Sequence, residues 1–422
     1  MRTVIAAVLA VTTTAGAASQ NREPRVPMLP LPTGPHPVGR VTLYLTDSSR
    51  IEPLSTESAP RDLAVDVWYP AEAGTRRAAY LPASLLEDSA AERRLRPYFR
   101  GAFGALKASA VQTHATEHAV FAKSVRRAPV LVFSHGGGEI KEAYTAQLED
   151  LASHGYVVAA IAHTYDTAVT VLAGGRTAYY SPRRWPPMTR SFIDGVPPSE
   201  QANPDQLRWW SDDIMFTIDQ LTQVNRTASA EPFSGRLDLS KIGAFGHSFG
   251  GEAAATACQR DRRLRACLDE DGLAARAPYY PAADGWGMDQ AFLLIVRAGP
   301  AGLPPDDELA RMKLTRAEAT DLLNRMDRRQ LDTLQHTGQR SYRVVLEPMG
   351  TAHGDFGDLS MLQASSDTEA DSKAAVMAVV RTYARAFFDA TLKKIPSAVL
   401  ESHERPPLVR AVEIFPPAKR RP

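Results

Sequence analysis

The chain has 422 residues, 44% hydrophobic and 23% charged, enough apolar sequence for one large globular domain or for two or three average ones. Its 49 Lys and Arg against 48 Asp and Glu leave a formal net charge of +1, so composition gives neither the basic excess of a nucleic-acid binder nor the acidic excess of a disordered chain. Two cysteines, Cys258 and Cys267, exclude a disulfide-built fold and leave open either one bond between them or two buried thiols.

The first residues place Arg2 before an apolar run over 4–11 and the small-residue triplet Ala15-Gly16-Ala17. That layout predicts a secretory signal peptide over residues 1–18 and a secreted or periplasmic protein. The run is short of the ~20 apolar residues that span a bilayer, and no later segment reaches that length. Residues 21–40, "NREPRVPMLPLPTGPHPVGR", read as an extended strap leading into a first strand, so that 19–60 precedes the main domain.

Short apolar runs then predict strands at 41–45, 63–68, 129–133, 156–161, 242–245, 264–268, 291–296 and 341–346. The middle runs are nearly continuous rather than alternating, as in parallel strands covered on both faces. Helical segments are expected at 144–154, 205–221, 249–259 and, in one or more pieces, 303–335. Val376, Val379, Val380, Tyr383 and Phe387 form one helical stripe near the end. Strands alternating with helices, without a repeat or linker, predict a single α/β domain over 61–395. Its central sheet is mainly parallel and flanked by helices. Residues 181–198 and 299–306 read as inserted loops, and 396–422 as a Pro-rich, basic tail.

The chemistry centres on "KIGAFGHSFGGEAAATA", residues 241–257. G-x-S-x-G alone means little, because at glycine and serine frequencies of about 7% it arises by chance in roughly one chain in seven of this length. Its setting is more specific. A strand runs into Gly246-His247-Ser248-Phe249-Gly250-Gly251 and a helix follows, the strand–turn–helix order of a nucleophile elbow. Ser248 is the candidate nucleophile.

A second glycine cluster, Ser134-His135-Gly136-Gly137-Gly138, ends the strand at 129–133. Such a loop supplies one backbone donor of an oxyanion hole, the other being the N–H of the residue after the nucleophile, Phe249. Three histidines lie well beyond Ser248. His336 falls in a polar helix and His403 in the Pro-rich end, whereas His353 sits in "GTAHGDFGD" just after the last strand of the domain, where the base belongs. The acid is open on this reading. Asp269 and Asp271 share one face of a strand end, while Asp306 and Asp307 lie in a polar loop that suits a buried acid poorly. Neither Cys-x-x-Cys nor His-Glu-x-x-His occurs, so no metal is implied.

The segments "PVLVFSHGGGEIKEAYTAQLEDLASHGYVVAAIAHTYD", "KIGAFGHSFGG" and "GTAHGDFGD" resemble the group VII phospholipase A2 family, the plasma and type II intracellular platelet-activating factor acetylhydrolases and their bacterial relatives. The resemblance runs over about 63–388 and implies the α/β-hydrolase fold, with no cofactor. It implies Ser248 as nucleophile, His353 as base and the N–H groups of Gly137 and Phe249 as oxyanion donors. Aligned from the serine, the family's acid falls on Asp271, with Asp269 in reserve. Two departures concern the substrate. The mammalian enzymes carry a bulkier residue at the position of Gly137, and the family's aromatic residue after the acid is absent, since Leu273 and Ala274 follow Gly272.

The implied reaction is hydrolysis of a short or truncated acyl ester of a phospholipid-like substrate. A general carboxylesterase or cutinase-like polyester hydrolase is the alternative, and an inactive binding protein on the same fold a further one. Residues 95–107, "LRPYFRGAFGALK", put Leu95, Phe99, Phe103 and Leu106 on one face of an expected basic helix. This corresponds to a part of the family's chain that contacts lipid, so transient contact with a lipid surface is a further expectation.

Overall fold

Short apolar runs have no way to bury both faces except side by side, and here they pair into one ten-stranded sheet. In the computed structural model, residues 28–418 are described apart from 56–57, 97–99, 102–103, 106–109, 182–203, 229–231, 273–287, 298–302, 304–305, 312–313, 348–349 and 403. The strands are β1 (Val38–Ile51), β2 (Pro60–Pro70), β3 (Thr116–Glu117), β4 (Ala128–Ser134), β5 (Val157–Ala162), β6 (Leu237–His247), β7 (Leu264–Glu270), β8 (Ala291–Arg297), β9 (Ser341–Leu346) and β10 (Val409–Phe415). Their spatial order is β10-β9-β8-β7-β6-β4-β5-β2-β1-β3. From β5 across to β9 every pairing is parallel; the antiparallel pairs β1–β2, β2–β5 and β9–β10 lie to either side.

The longer helices are α1 (Thr145–Ser153), α2 (Pro204–Arg226), α3 (Phe249–Arg260), α4 (Arg316–Gln335) and α5 (Asp367–Phe388). Side chains alternate along each strand, so Leu131, Phe133 and Phe245 pack with Leu148 of α1 and Val380 of α5. On the opposite face Val130, Val132 and Ala244 pack with Trp210 and Ile214 of α2 and Ala253 of α3. The expected stripe on α5 is buried at all five positions. The strap crosses the first of these layers. Thr33 donates to Asp150 Oδ1 through its N–H at 2.7 Å and its hydroxyl at 2.8 Å, and Arg381 of α5 donates to the same oxygen at 2.5 Å.

Two expectations need correction, and two open ones are settled. Residues 95–107 are not one helix. A helix ends at Leu95, and Arg100–Gly101 and Gly104–Ala105 pair as antiparallel strands, in a stretch where Gly101 and Gly104 disfavour a helix interior. The segment 396–422 is more than a tail, since β10 within it pairs with β9 and forms one edge of the sheet. The helical stretch 303–335 divides into Asp306–Arg311 and α4, which Thr315 opens with a capping box to Glu318. Cys258 and Cys267 are bonded, tying α3 to β7. The predicted signal peptide, most of the two predicted loops at 181–198 and 299–306, and residues 419–422 lie outside the described residues.

Candidate active site

The parallel strands all end on one side of the sheet, where helix N-termini and loops gather. β6 delivers Ser248 there on a turn that only small neighbours permit. A Cβ on Gly250 would lie 2.1 Å from the Ser134 carbonyl oxygen, and one on Gly246 would lie 2.4 Å from it. Ser248 takes φ 54° and ψ −125°, a strained backbone for a residue with a side chain. Its N–H donates to the Glu270 carbonyl at 2.8 Å, and its own carbonyl accepts from Gly251 at 3.0 Å. The turn is thus bonded to the neighbouring strand on one side and to α3 on the other.

The next strand, β7, ends at Glu270, and Asp271 follows it at φ 51°, a second strained position. Its N–H donates to the Ile295 carbonyl at 2.7 Å. The carboxylate faces His353, whose Nδ1 lies 2.6 Å from Asp271 Oδ2. Arg297, at the end of β8, donates to Oδ1 through its backbone N–H at 3.1 Å and to Oδ2 through Nε at 2.6 Å. Burial pushes the Asp271 carboxyl up, but the bond from His353 and the charges of His353 and Arg297 outweigh it and hold it at about 2. An ionised Asp271 accepts only, so Nδ1 is the donor of this bond and Nε2 is the ring nitrogen turned away from the acid. Its ring is half exposed and lies 4.5 Å, centroid to centroid, from that of His247, the residue before Ser248.

Asp269 does not join them. It is fully buried beneath the turn and accepts the Gly272 N–H at 2.9 Å. Burial, with Glu252 nearby, raises its carboxyl well above the usual range. Asp306 is exposed and bonded to Arg316 rather than to His353. His336 closes α4 at the surface.

The glycine loop follows β4 directly. Gly138 N–H donates to the Asp166 carbonyl at 3.1 Å and Glu139 N–H to the Gly136 carbonyl at 3.1 Å, a tight turn with Gly137 at its tip. Phe249 opens α3 directly after Ser248, so its N–H belongs to the first turn of that helix.

Three polar neighbours were not singled out from the sequence: Glu139, Tyr144 and His247. Tyr144 Oη lies 2.7 Å from His247 Nδ1, accepts the Gly136 N–H at 3.2 Å and donates to Glu139 Oε2. His247 is buried and stacks on Phe356 at 5.4 Å. His247 occupies a variable position of G-x-S-x-G, and nothing in a linear reading joins it to Tyr144, 103 residues earlier. Arg297 stands just past the apolar run at 291–296 and carries no signal of its own in the sequence.

A second Ser-His-Asp chain lies behind the loop. Ser134 Oγ is 2.8 Å from His163 Nε2, and His163 Nδ1 is 2.8 Å from Asp213 Oδ2. All three are fully buried. Arg61 grips both Asp213 oxygens, and Trp210 stacks on His163 at 3.8 Å. Burial lowers His163 to about 4 despite Asp213. Among the described residues no group of side chains is arranged to hold a metal ion, and no helix is long and apolar enough to cross a membrane.

Residues 23–179 match the sequence model of the family described as platelet-activating factor acetylhydrolase, isoform II. Over that stretch the chain is similar to these acetylhydrolases. A probable 1-alkyl-2-acetylglycerophosphocholine esterase of Arthroderma benhamiae is 26% identical over 58% of this chain and 59% of its own length. The platelet-activating factor acetylhydrolase of Cavia porcellus is 28% identical over 34% of each. The chain therefore matches about three-fifths of the fungal relative and a third of the mammalian one. Among solved structures, a ferulic acid esterase from Streptomyces cinnamoneus superposes with a TM-score of 0.65 and 25% identity, covering 90% of this chain and 97% of that one. The parallel sheet with flanking helices is the α/β-hydrolase fold, shared with that esterase and expected from the acetylhydrolase resemblance.

Proposed function

We propose that the protein is a serine carboxylic ester hydrolase acting through Ser248, His353 and Asp271. The observation that carries this reading is the 2.6 Å contact between His353 Nδ1 and Asp271 Oδ2, at the same sheet end as the strained turn bearing Ser248. His353 Nε2 takes the hydroxyl proton as Ser248 Oγ attacks the ester carbonyl carbon. Asp271 holds the ring and stabilises the imidazolium. The N–H groups of Gly137 and Phe249 receive the oxyanion. The proton then passes to the departing alcohol oxygen, and a water activated by His353 hydrolyses the acyl-enzyme.

The acetylhydrolase relatives favour a short acyl ester on a phospholipid-like alcohol as substrate. The end-to-end likeness to a ferulic acid esterase favours a second reading, an ester of an aromatic acid. Initial rates on an acetylated ether phospholipid, p-nitrophenyl acetate, a polyester film and methyl ferulate decide between them. Turnover of the phospholipid at a rate comparable to the soluble acetate supports the first reading. Turnover of the soluble esters alone removes it, and a marked preference for the ferulate installs the second. Loss of all activity in Ser248→Ala, with a fluorophosphonate adduct on Ser248 in the parent, is expected in either case.

Export belongs to the same proposal. The bond between Cys258 and Cys267 suits an oxidising compartment, and N-terminal sequencing of the mature protein tests cleavage near Ala17 or Ala18.

A further inference from the structure

The two donors assigned to the oxyanion come from different segments, the loop after β4 and the turn after β6. Their separation decides whether both can reach one oxygen, and a misplacement of about 1 Å can cost about 100-fold in rate. One side chain reaches both segments. The Tyr144 hydroxyl accepts the N–H of Gly136, next to Gly137, at 3.2 Å, and meets Nδ1 of His247, two residues before Phe249, at 2.7 Å.

A proton inventory fixes the directions. Glu139 is held near 2, because the facing His247 and the Tyr144 hydroxyl outweigh the effect of burial. Its carboxylate therefore only accepts, and the single hydroxyl proton of Tyr144 goes to it. The Gly136 N–H can only donate. His247 Nδ1 must then donate as well, so the hydroxyl accepts two bonds and gives one. Every polar capacity of the phenol is used, in a setting where each partner is fixed by something else. Glu139 follows the glycine turn, and His247 is held against Phe356. The Tyr144 ring packs on Phe133 at 4.7 Å and cannot swing away without opening the core.

We infer that Tyr144, oriented by Glu139, is the positioning residue that sets the spacing of the two oxyanion donors by tying Gly136 to His247. The inference rests on the proposed esterase reading, and the experiment separates the two. Tyr144→Phe keeps the ring and its packing while removing the node. On p-nitrophenyl acetate, kcat is expected to fall about 10- to 100-fold with KM within about twofold, since the interaction matters only once charge develops on oxygen. The inhibition constant of a boronic acid that mimics the tetrahedral intermediate rises in parallel, and the melting temperature stays near that of the parent. Glu139→Gln, which still accepts from Tyr144, retains most of kcat, whereas Glu139→Ala, which leaves the hydroxyl proton free to turn to His247, loses several-fold.

An unchanged kcat in folded Tyr144→Phe overturns the inference. So does a loss shared equally between kcat and the melting temperature. If Tyr144→Phe does not fold, Glu139→Ala decides: parental kcat with parental boronate affinity rejects the positioning role. Activity that survives Ser248→Ala instead overturns the underlying esterase reading, whatever the Tyr144 variants do.

Discussion

Arg297 holds both carboxylate oxygens of Asp271, Oδ1 through its backbone N–H at 3.1 Å and Oδ2 through Nε at 2.6 Å. The acid is thus fixed in plane from the neighbouring strand before His353 is considered. Two charge-assisted bonds converge on Oδ2, from Arg297 and from His353. One orients the acid and the other uses it.

The contrast between Asp271 and Asp269 gives a first prediction. Asp271→Asn places an amide opposite His353 and removes the charge that supports the imidazolium, so kcat should fall about 10³- to 10⁴-fold. Burial pushes the Asp269 carboxyl towards its neutral form and it accepts its bond from the Gly272 N–H rather than from His353, so Asn is close to it in shape and can accept the same bond. Asp269→Asn should keep kcat close to that of the parent. Steady-state kinetics of both variants on p-nitrophenyl acetate check this, and the reverse ranking would move the acid to Asp269.

Much of this arrangement was legible in the sequence, and the part that was not has a common cause. Parallel strands covered on both faces show as apolar runs, and a strand–glycine–helix junction shows where Ser248 sits. These are local patterns, readable over a dozen residues. The edge strand at Val409–Phe415 is half exposed and Pro-flanked, so its signal was too weak against the surrounding tail. The helix expected around 95–107 failed because apolar spacing outweighed two glycines in the reading but not in the chain. Tyr144, Glu139, His247 and Arg297 escaped notice because their roles lie in contacts between distant segments. The pairing of Cys258 with Cys267 was left open for a related reason: nine residues of separation permit a bond but do not require α3 to face β7.

That bond leads to a second prediction. It closes a short loop between the helix that follows the nucleophile and the strand that carries the acid, and both sulfurs are buried. Loop-closure arguments assign such a bond about 2–3 kcal/mol. Replacing both cysteines with alanine should lower the urea midpoint accordingly while leaving kcat largely intact. Reductant added to the native protein should act slowly, because the sulfurs are reached only after opening.

A third prediction concerns pH. Glu270 is fully buried next to Ser248, and burial raises its carboxyl to about 8 against a weaker opposing bond from Gln147. Protonated, its O–H can satisfy Gln147 Oε1, which otherwise has no partner among the described residues. Because the folded-state pKa lies above the unfolded one of about 4.5, the folded state holds a proton that the unfolded chain has lost between these values. This group's contribution is therefore complete below about pH 4.5 and is lost progressively as pH rises towards 8. Glu270→Gln keeps the hydrogen-bonding pattern without the proton. It should melt higher than the parent at pH 8 and near it at pH 4.5, as read by thermal scans at both values. Asp271 acts in the opposite sense. Its folded pKa of about 2 lies below the unfolded 3.8, so its stabilisation is present above about pH 4 and is lost as the medium is acidified towards 2.

The buried Ser134–His163–Asp213 chain supplies the last prediction, since its connectivity matches that of the site proposed for Ser248 while its surroundings do not. A nucleophile has to meet an ester, and Ser134 is fully buried. A general base has to accept a proton near neutral pH, and burial holds His163 at about 4. Asp213 is gripped by Arg61 through both oxygens, and burial of that ion pair makes it costly to break. Ser134→Ala should therefore leave fluorophosphonate labelling of Ser248 intact, and peptide mapping of the labelled parent should find no adduct on Ser134. Asp213→Asn, by contrast, leaves the buried Arg61 guanidinium with Glu52 as its acidic partner but without the charge that faces Nε and Nη2, and should cost about 3–5 kcal/mol. Urea denaturation measures that loss. An adduct on Ser134 would mean that the chain opens to admit the probe, and would reassign the nucleophile between two serines on adjacent strands.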